Sequence, residues 1–350
     1  MSFRRLSIYA GLLLLSSCIT EYQPERRSIP RSLVVEGVIT DQPGPYTIKL
    51  TQTTEYTNAS INLLASGATV TITDNLGTTE TLTERTPGLG VYRTRANGIR
   101  GVAGRRYTLT IVTSDGKRYQ SNAELLTAAP PIGKLYYEYR AEPNALTGQD
   151  SQGWDVYVDT KDPETTGDYY RWEWTHYEPV SVCQVTDRPN AIPFGLGCCT
   201  RCWDITRCYT CVNIKSDAAI NGNTLSRQLI TRVPFTSRSA YYIEVQQQRL
   251  SAGGYAFWQS VKSLTQNNGG LFDAAPSTVG GNMRCVSDPG SSVYGYFGAS
   301  GISESFLYVD RTDARGSAPA PPPVEVSIFG CAPCADDLYR TPNTPRWWRN

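Results

Sequence analysis

The sequence predicts an all-β chain with one helix, and three observations carry that expectation. Thr, Val, Ile and Tyr recur in short runs where apolar and polar residues alternate, the two-residue period of a half-buried strand. Pro 22 and Gly 30 punctuate those runs with turn signals. Only the stretch from Gly254 to Asn267 repeats apolar residues at helical spacing, with Phe257, Val261 and Leu264 on one face.

Residues 1–17 read as a signal peptide. Arg4 and Arg5 supply the positive flank, and the apolar run through Leu12–Leu15 is too short to span a bilayer, which takes about 20 residues. Leu15-Ser16-Ser17-Cys18 has the form of a bacterial lipobox, in which small residues expose the peptide bond before the cysteine to a peptidase. The expectation is a lipidated Cys18 holding the chain on a membrane. Each buried CH₂ contributes about 0.8 kcal/mol to such an anchor. Residues 18–31 are polar, with two prolines, and form a tether.

Residues 32–130 carry about seven short strands with hairpin punctuation, the spacing of an immunoglobulin-like β-sandwich. Asp74-Asn75-Leu76-Gly77 and Ser114-Asp115-Gly116-Lys117 are the clearest turns. Pro130-Pro131 marks the boundary. Residues 131–312 form a second β-rich unit with the helix and a cysteine-rich insertion over 183–215. Its strands are aromatic: Tyr136, Tyr137, Tyr139, Trp154, Tyr157, Tyr169, Tyr170, Trp172 and Trp174. Alternation lets only half of these face one way, so they fill a core before they line a groove. Residues 313–350 are a Pro-rich tail. Cys331-Ala-Pro-Cys334 and Trp347-Trp348 imply that it docks back on the body.

Nine of the ten cysteines lie beyond Cys18. Export favours oxidation, so Cys183, Cys198, Cys199, Cys202, Cys208, Cys211, Cys285, Cys331 and Cys334 are disulfide candidates, at least one bridge joining tail to insertion. An odd count leaves at least one thiol outside a pair within the chain. Cys199-x-x-Cys202 and Cys208-x-x-Cys211 are too close together for an ordinary zinc ribbon.

Six stretches together resemble a known family: LVVEGVITDQPGPY at 33–46, GATVTITD at 67–74, TERTPG at 83–88, GLFDAAPSTVGGN at 270–282, VYGYFGAS at 293–300, and Cys331-x-x-Cys334. In this order they are similar to the Bacteroidetes outer-membrane lipoproteins catalogued as domain of unknown function 4249. That family usually ends in Cys-x-Asp-Cys followed by Gly-Gly-Thr, which this tail lacks. The resemblance implies an N-terminal sandwich, a lipid anchor and association with TonB-dependent outer-membrane receptors. It implies no reaction and no catalytic residue.

No enzyme constellation emerges from the residues. His176 is the single histidine, in an aromatic strand, and no serine is marked as its partner. Ser114-x-x-Lys117 lies on a hairpin turn, where Asp-Gly is turn chemistry. Asp159, Asp162, Glu164 and Asp168 offer calcium-type oxygens without EF-hand spacing, and a solvated turn explains them equally well. Lys+Arg 33 against Asp+Glu 32 provides no basic excess for a nucleic acid. The expectation is therefore a non-enzymatic, cofactor-free accessory lipoprotein of an uptake receptor. A structural or adhesive surface lipoprotein is the alternative. Contact with the partner is expected at the insertion, through Arg201, Trp203 and Asp204. One acid, Glu21, follows Cys18 closely, which tips the expectation toward the outer-membrane surface over the periplasmic face.

Overall fold

The computed structural model describes residues 31–54, 63–143, 150–183, 199–208, 211–266, 279–318, 334 and 336–349. Cys18, the signal peptide and most of the tether lie outside this range, as do Cys198 and Cys331. The described residues are nearly all β with one helix. The first unit runs β1 (Leu33–Thr40), β2 (Thr47–Gln52), β3 (Leu63–Leu64), β4 (Thr69–Asp74), β5 (Thr79–Glu84), β6 (Val91–Arg93), β7 (Arg106–Val112), β8 (Arg118–Ser121) and β9 (Glu124–Leu125). The second runs β10 (Ile132–Pro143), β11 (Asp150–Lys161), β12 (Tyr169–Cys183), β13 (Cys199–Arg207), β14 (Asn213–Ser216), β15 (Thr224–Pro234) and β16 (Tyr241–Leu250). Then come α1 (Ala252–Gln266), β17 (Met283–Cys285), β18 (Val293–Val309) and β19 (Arg340–Thr341).

Local chemistry forms the hairpins where the sequence punctuates them. Between β4 and β5, Asp74 Oδ1 accepts from the Leu76 and Thr78 backbone N–H groups at 2.9 and 2.8 Å, and Gly77 takes φ +90°. The two strands then pair in register, Val70 opposite Leu82. Alternation buries Tyr107, Leu109 and Ile111 of β7 against Val35, Ile48 and Val70 in one core. Each such side chain stabilises by about 1.5–3 kcal/mol.

That first core is not closed by residues 32–130. Strand β17 pairs antiparallel with β8, and β18 pairs in parallel with β1 from Leu33↔Val293 to Thr40↔Ser300. Met283, Cys285, Phe297 and Ala299 belong to the same core. The boundary expected at Pro130–Pro131 therefore needs correction: the chain leaves the first unit there and returns from the far end to complete it. A strand beside β1 must bring its own apolar face, and VYGYFGAS supplies one.

The second core lies between two sheets. Strands β10, β11 and β15 form a small three-stranded sheet. Facing it are β12, β16 and the far half of β18, carrying Tyr170, Trp172, Ile243, Val245 and Val309. The cysteine-rich stretch supplies two strands of its own here. Strand β13 pairs with β12 over Thr175–Cys183 and β14 pairs with its start.

Period two sorts the side chains of β18. Phe297, Ala299, Leu307 and Val309 face the two cores. Tyr296, Gly298 and Ser300, then Glu304, Phe306 and Tyr308, face the other way. Backbones approach closely where β18 enters the first core. Gly295 takes φ +89°, and a Cβ there would collide with the Val35 carbonyl oxygen. Gly104 has a similar φ, +87°, with nothing within 4 Å of its would-be Cβ. Gly295→Ala is accordingly expected to destabilise by about 3 kcal/mol or more, against about 1–2 kcal/mol for Gly104→Ala. Denaturant midpoints of both variants check this, and equal effects would remove the close-approach argument.

Candidate functional site

The sequence-predicted contact residues come together under the tail. Cys202 is bonded to Cys334, with 5.7 Å between their Cα atoms, so the cysteine-rich stretch and the tail are covalently joined. Strand β19 pairs with β13 at Trp203↔Thr341 and Asp204↔Arg340. Arg340 Nε donates to Asp204 Oδ1 at 2.6 Å. Trp348 then lies 4.5 Å from Trp203, ring to ring, and 5.3 Å from Tyr242, while Trp347 stacks on Phe306 at 5.4 Å.

This arrangement corrects the contact reading. Trp203 is 1% exposed, so it anchors the chain's own tail and offers no face to a partner. Asp204 is taken by Arg340. Arg201 alone of the three is exposed, its guanidinium 5.7 Å from the Trp203 ring. An aromatic pair wants a desolvated partner, and the tail supplies one nearer than any second protein.

The cysteines distribute unevenly. Cys208 is bonded to Cys211. Cys183 and Cys199 are register partners across β12 and β13. Cys285, expected among the bridged candidates, is a buried free thiol. Its place on β17 puts it in the first core, where no other described cysteine lies.

His176 is buried. Its ring stacks on Tyr241 at 3.6 Å, and Nδ1 donates to the Tyr242 carbonyl at 2.7 Å. Ser114 and Lys117 stay on their turn, with Lys117 reaching Ser291 Oγ at 3.0 Å. Of the four acids weighed for calcium, Asp162 and Asp168 meet each other and Asp217, with ligand oxygens within 4.8 Å. Tyr170 and the Gly222 N–H donate to Asp162, Arg249 pairs with Asp168, and the Gly167 N–H donates to Asp217. The cluster braces two turns, at 162–168 and 217–223, against β16. Asp159 instead accepts from Tyr136 and the Arg227 N–H.

Sequence reasoning missed a cavity of about 480 Å³ between the two units. Its floor is the outward face of β1 and β18, with Val34, Glu36, Val38 and Tyr296. Helix α1 covers it with Phe257, Trp258 and Val261. Ser251 starts that helix by accepting from the Gly254 N–H at 3.0 Å. The side wall comes from β12 and β16, through Arg171, Glu173 and Gln248. The Arg171 guanidinium lies 3.7 Å above the Trp258 ring, and its Nη2 pairs with Glu173. Among the described residues its buried Nε has no hydrogen-bond partner. Burial pushes the guanidinium below its ordinary value, with Glu173 and Glu36 opposing. Glu124, at the edge, accepts from Ser251, Tyr296 and Asn282 at 2.6–3.0 Å. The helix amphipathicity was legible, but the pairing of β1 with β18 that forms the floor was not.

Two outcomes follow for the docked tail. Cys334→Ser should lower stability by about 4–5 kcal/mol on the chain-entropy account, since the bridge spans 132 residues. Non-reducing denaturation reads this, and limited proteolysis should clip the variant tail first. Glu244 provides a pH test. Burial raises its carboxyl above the ordinary 4.5, against a hydrogen bond from Tyr242 that lowers it. Such a group weakens the fold as pH rises from the unfolded value through the raised folded one. Glu244→Gln should therefore raise Tm at pH 7 and leave it unchanged near pH 3. A rise at both pH values would assign the gain to packing.

Comparison with known proteins places the chain by sequence. No curated protein matches it. Among solved structures, the selenomethionine-substituted chicken interferon gamma receptor alpha chain aligns with 63% of this chain and 90% of its own, at 9% identity and a TM-score of 0.17, too low to carry an argument. A family model described as domain of unknown function (DUF4249) matches residues 19–305, most of the chain, and the protein belongs to that family.

Proposed function

We propose that this protein is a lipid-anchored, non-enzymatic accessory protein of the outer membrane that binds a TonB-dependent receptor, its ligand, or both, in nutrient uptake. The observation that carries the proposal is the route from anchor to body. The lipobox-like Leu15-Ser16-Ser17-Cys18 leads through a short polar tether directly into β1, an interior strand of the large sheet. Ser32 N–H is held by Thr53 Oγ1 at 2.9 Å just before β1 begins. Three acyl chains on Cys18 would thus hold the body at a membrane surface through an interior strand, an arrangement suited to presenting a binding surface beside an integral receptor. Among the described residues no helix is long and apolar enough to cross a membrane.

Cys18→Ala is the test. The variant is expected to keep its circular dichroism spectrum and leave the detergent-extracted membrane fraction. Wild-type protein solubilised from membranes should bring a TonB-dependent receptor with it. Retention of the variant in membranes would sink the anchor. Membrane attachment without a co-purifying receptor would favour the adhesive or structural reading instead.

A further inference from the structure

We infer that the cavity beneath α1 is a binding site for a small amphipathic monocarboxylate, with Arg171 as its anion anchor and the helix as its apolar wall. A site of about 480 Å³ is within the range of small-molecule pockets, which are largely apolar with a few placed polar groups. Val34, Val38, Phe257 and Val261 supply the apolar lining.

The polar group that asks for a ligand is Arg171. Its side chain is 14% exposed, and among the described residues it makes one ion pair, through Nη2. Nε is buried without a partner among the described residues. A guanidinium has five N–H donors, and unmet donors out of water are unfavourable by about 1–3 kcal/mol or more. Arg171 lines the cavity with its guanidinium 3.7 Å from the Trp258 ring, and a carboxylate entering there would pair with its charge.

The neighbouring charges set the ligand's valence. Glu124 and Glu173 are already engaged by donors, the latter by Gln248 Nε2 at 2.7 Å and by Arg171. Lys49 faces Glu36 across the β1–β2 ladder. Three glutamates against two cations leave no room for a dianion, so a phosphate is disfavoured and a single carboxylate preferred. The same glutamates would attract an amine if Arg171 were not the group in need. The sign of the preferred charge therefore decides the proposal. The inference concerns the cavity alone and stands whether or not a receptor is the partner.

The experiment is calorimetric titration of the full lipidated chain in detergent, with empty micelles as blank. The probes share one apolar body: 4-phenylbutyrate, 4-phenylbutanol and 4-phenylbutylamine. The carboxylate is expected to bind at least tenfold tighter than the alcohol, and the amine not to bind. Arg171→Met should remove the preference for the carboxylate while leaving alcohol binding within about twofold. Val261→Trp, on the partly exposed helix, should weaken both by filling the apolar wall. Tighter binding of the amine, equal binding of all three, or carboxylate binding indifferent to Val261→Trp would each overturn the assignment. The charge series on the unmutated protein decides the matter even if Arg171→Met does not fold.

Discussion

Strand β18 is the element on which the rest depends. Its first half lies parallel to β1 and closes the first core with Phe297 and Ala299. Its second half lies antiparallel to β16 and closes the second with Val309. One continuous backbone thus belongs to two cores. A hinge between the units would have to break that ladder, and each lost hydrogen bond and unburied side chain opposes it. Gly281 and Gly295 let the chain enter this position, because a Cβ at either would collide with neighbouring backbone.

The same period-two geometry divides the outer face of the second sheet between two covers. At one end, Trp203, Tyr242, Phe306 and Tyr308 receive Trp347 and Trp348 of the tail. At the other, Arg171 and Gln248 face α1. The tail end is sealed by a disulfide, a two-residue ladder and an ion pair between Arg346 and Glu304 at 2.8 Å. The helix end is not sealed to the same degree. A helix standing over the sheet beside Gly295 and Gly298 of β18 leaves volume that side chains do not fill.

Aromatic richness therefore has a structural meaning here. Trp154, Tyr170 and Trp172 are nearly fully buried in the second core, with Trp154 Nε1 bonded to Asp313 and Trp172 Nε1 to Gln247 at 3.0 and 2.9 Å. Large rings with a polar edge suit such a core, since each buries much area and these two indoles also satisfy their donors. The proposed binding chemistry uses one charged donor that was not satisfied in this way, Arg171 Nε.

The sequence by itself determined what local physics controls. Alternation set the strands, Asp-Asn-Leu-Gly set the β4–β5 turn, and helical spacing set α1 with Phe257 and Val261 on one side. The oxidation of Cys202 and Cys334 and the return of Trp347-Trp348 to the body were likewise readable as a docked tail, though not which rings would receive it. Tertiary structure alone decided the rest. That β18 would pair with β1 across about 260 residues of chain has no local signature, because strand pairing is selected by the faces available after folding. For the same reason the first unit's true extent, the buried free thiol of Cys285 and the loss of Trp203 to the tail were hidden. The cavity was hidden most completely. Its residues come from β1, β12, β16, α1 and β18, and an unmet donor such as Arg171 Nε exists only once every neighbour has taken its place.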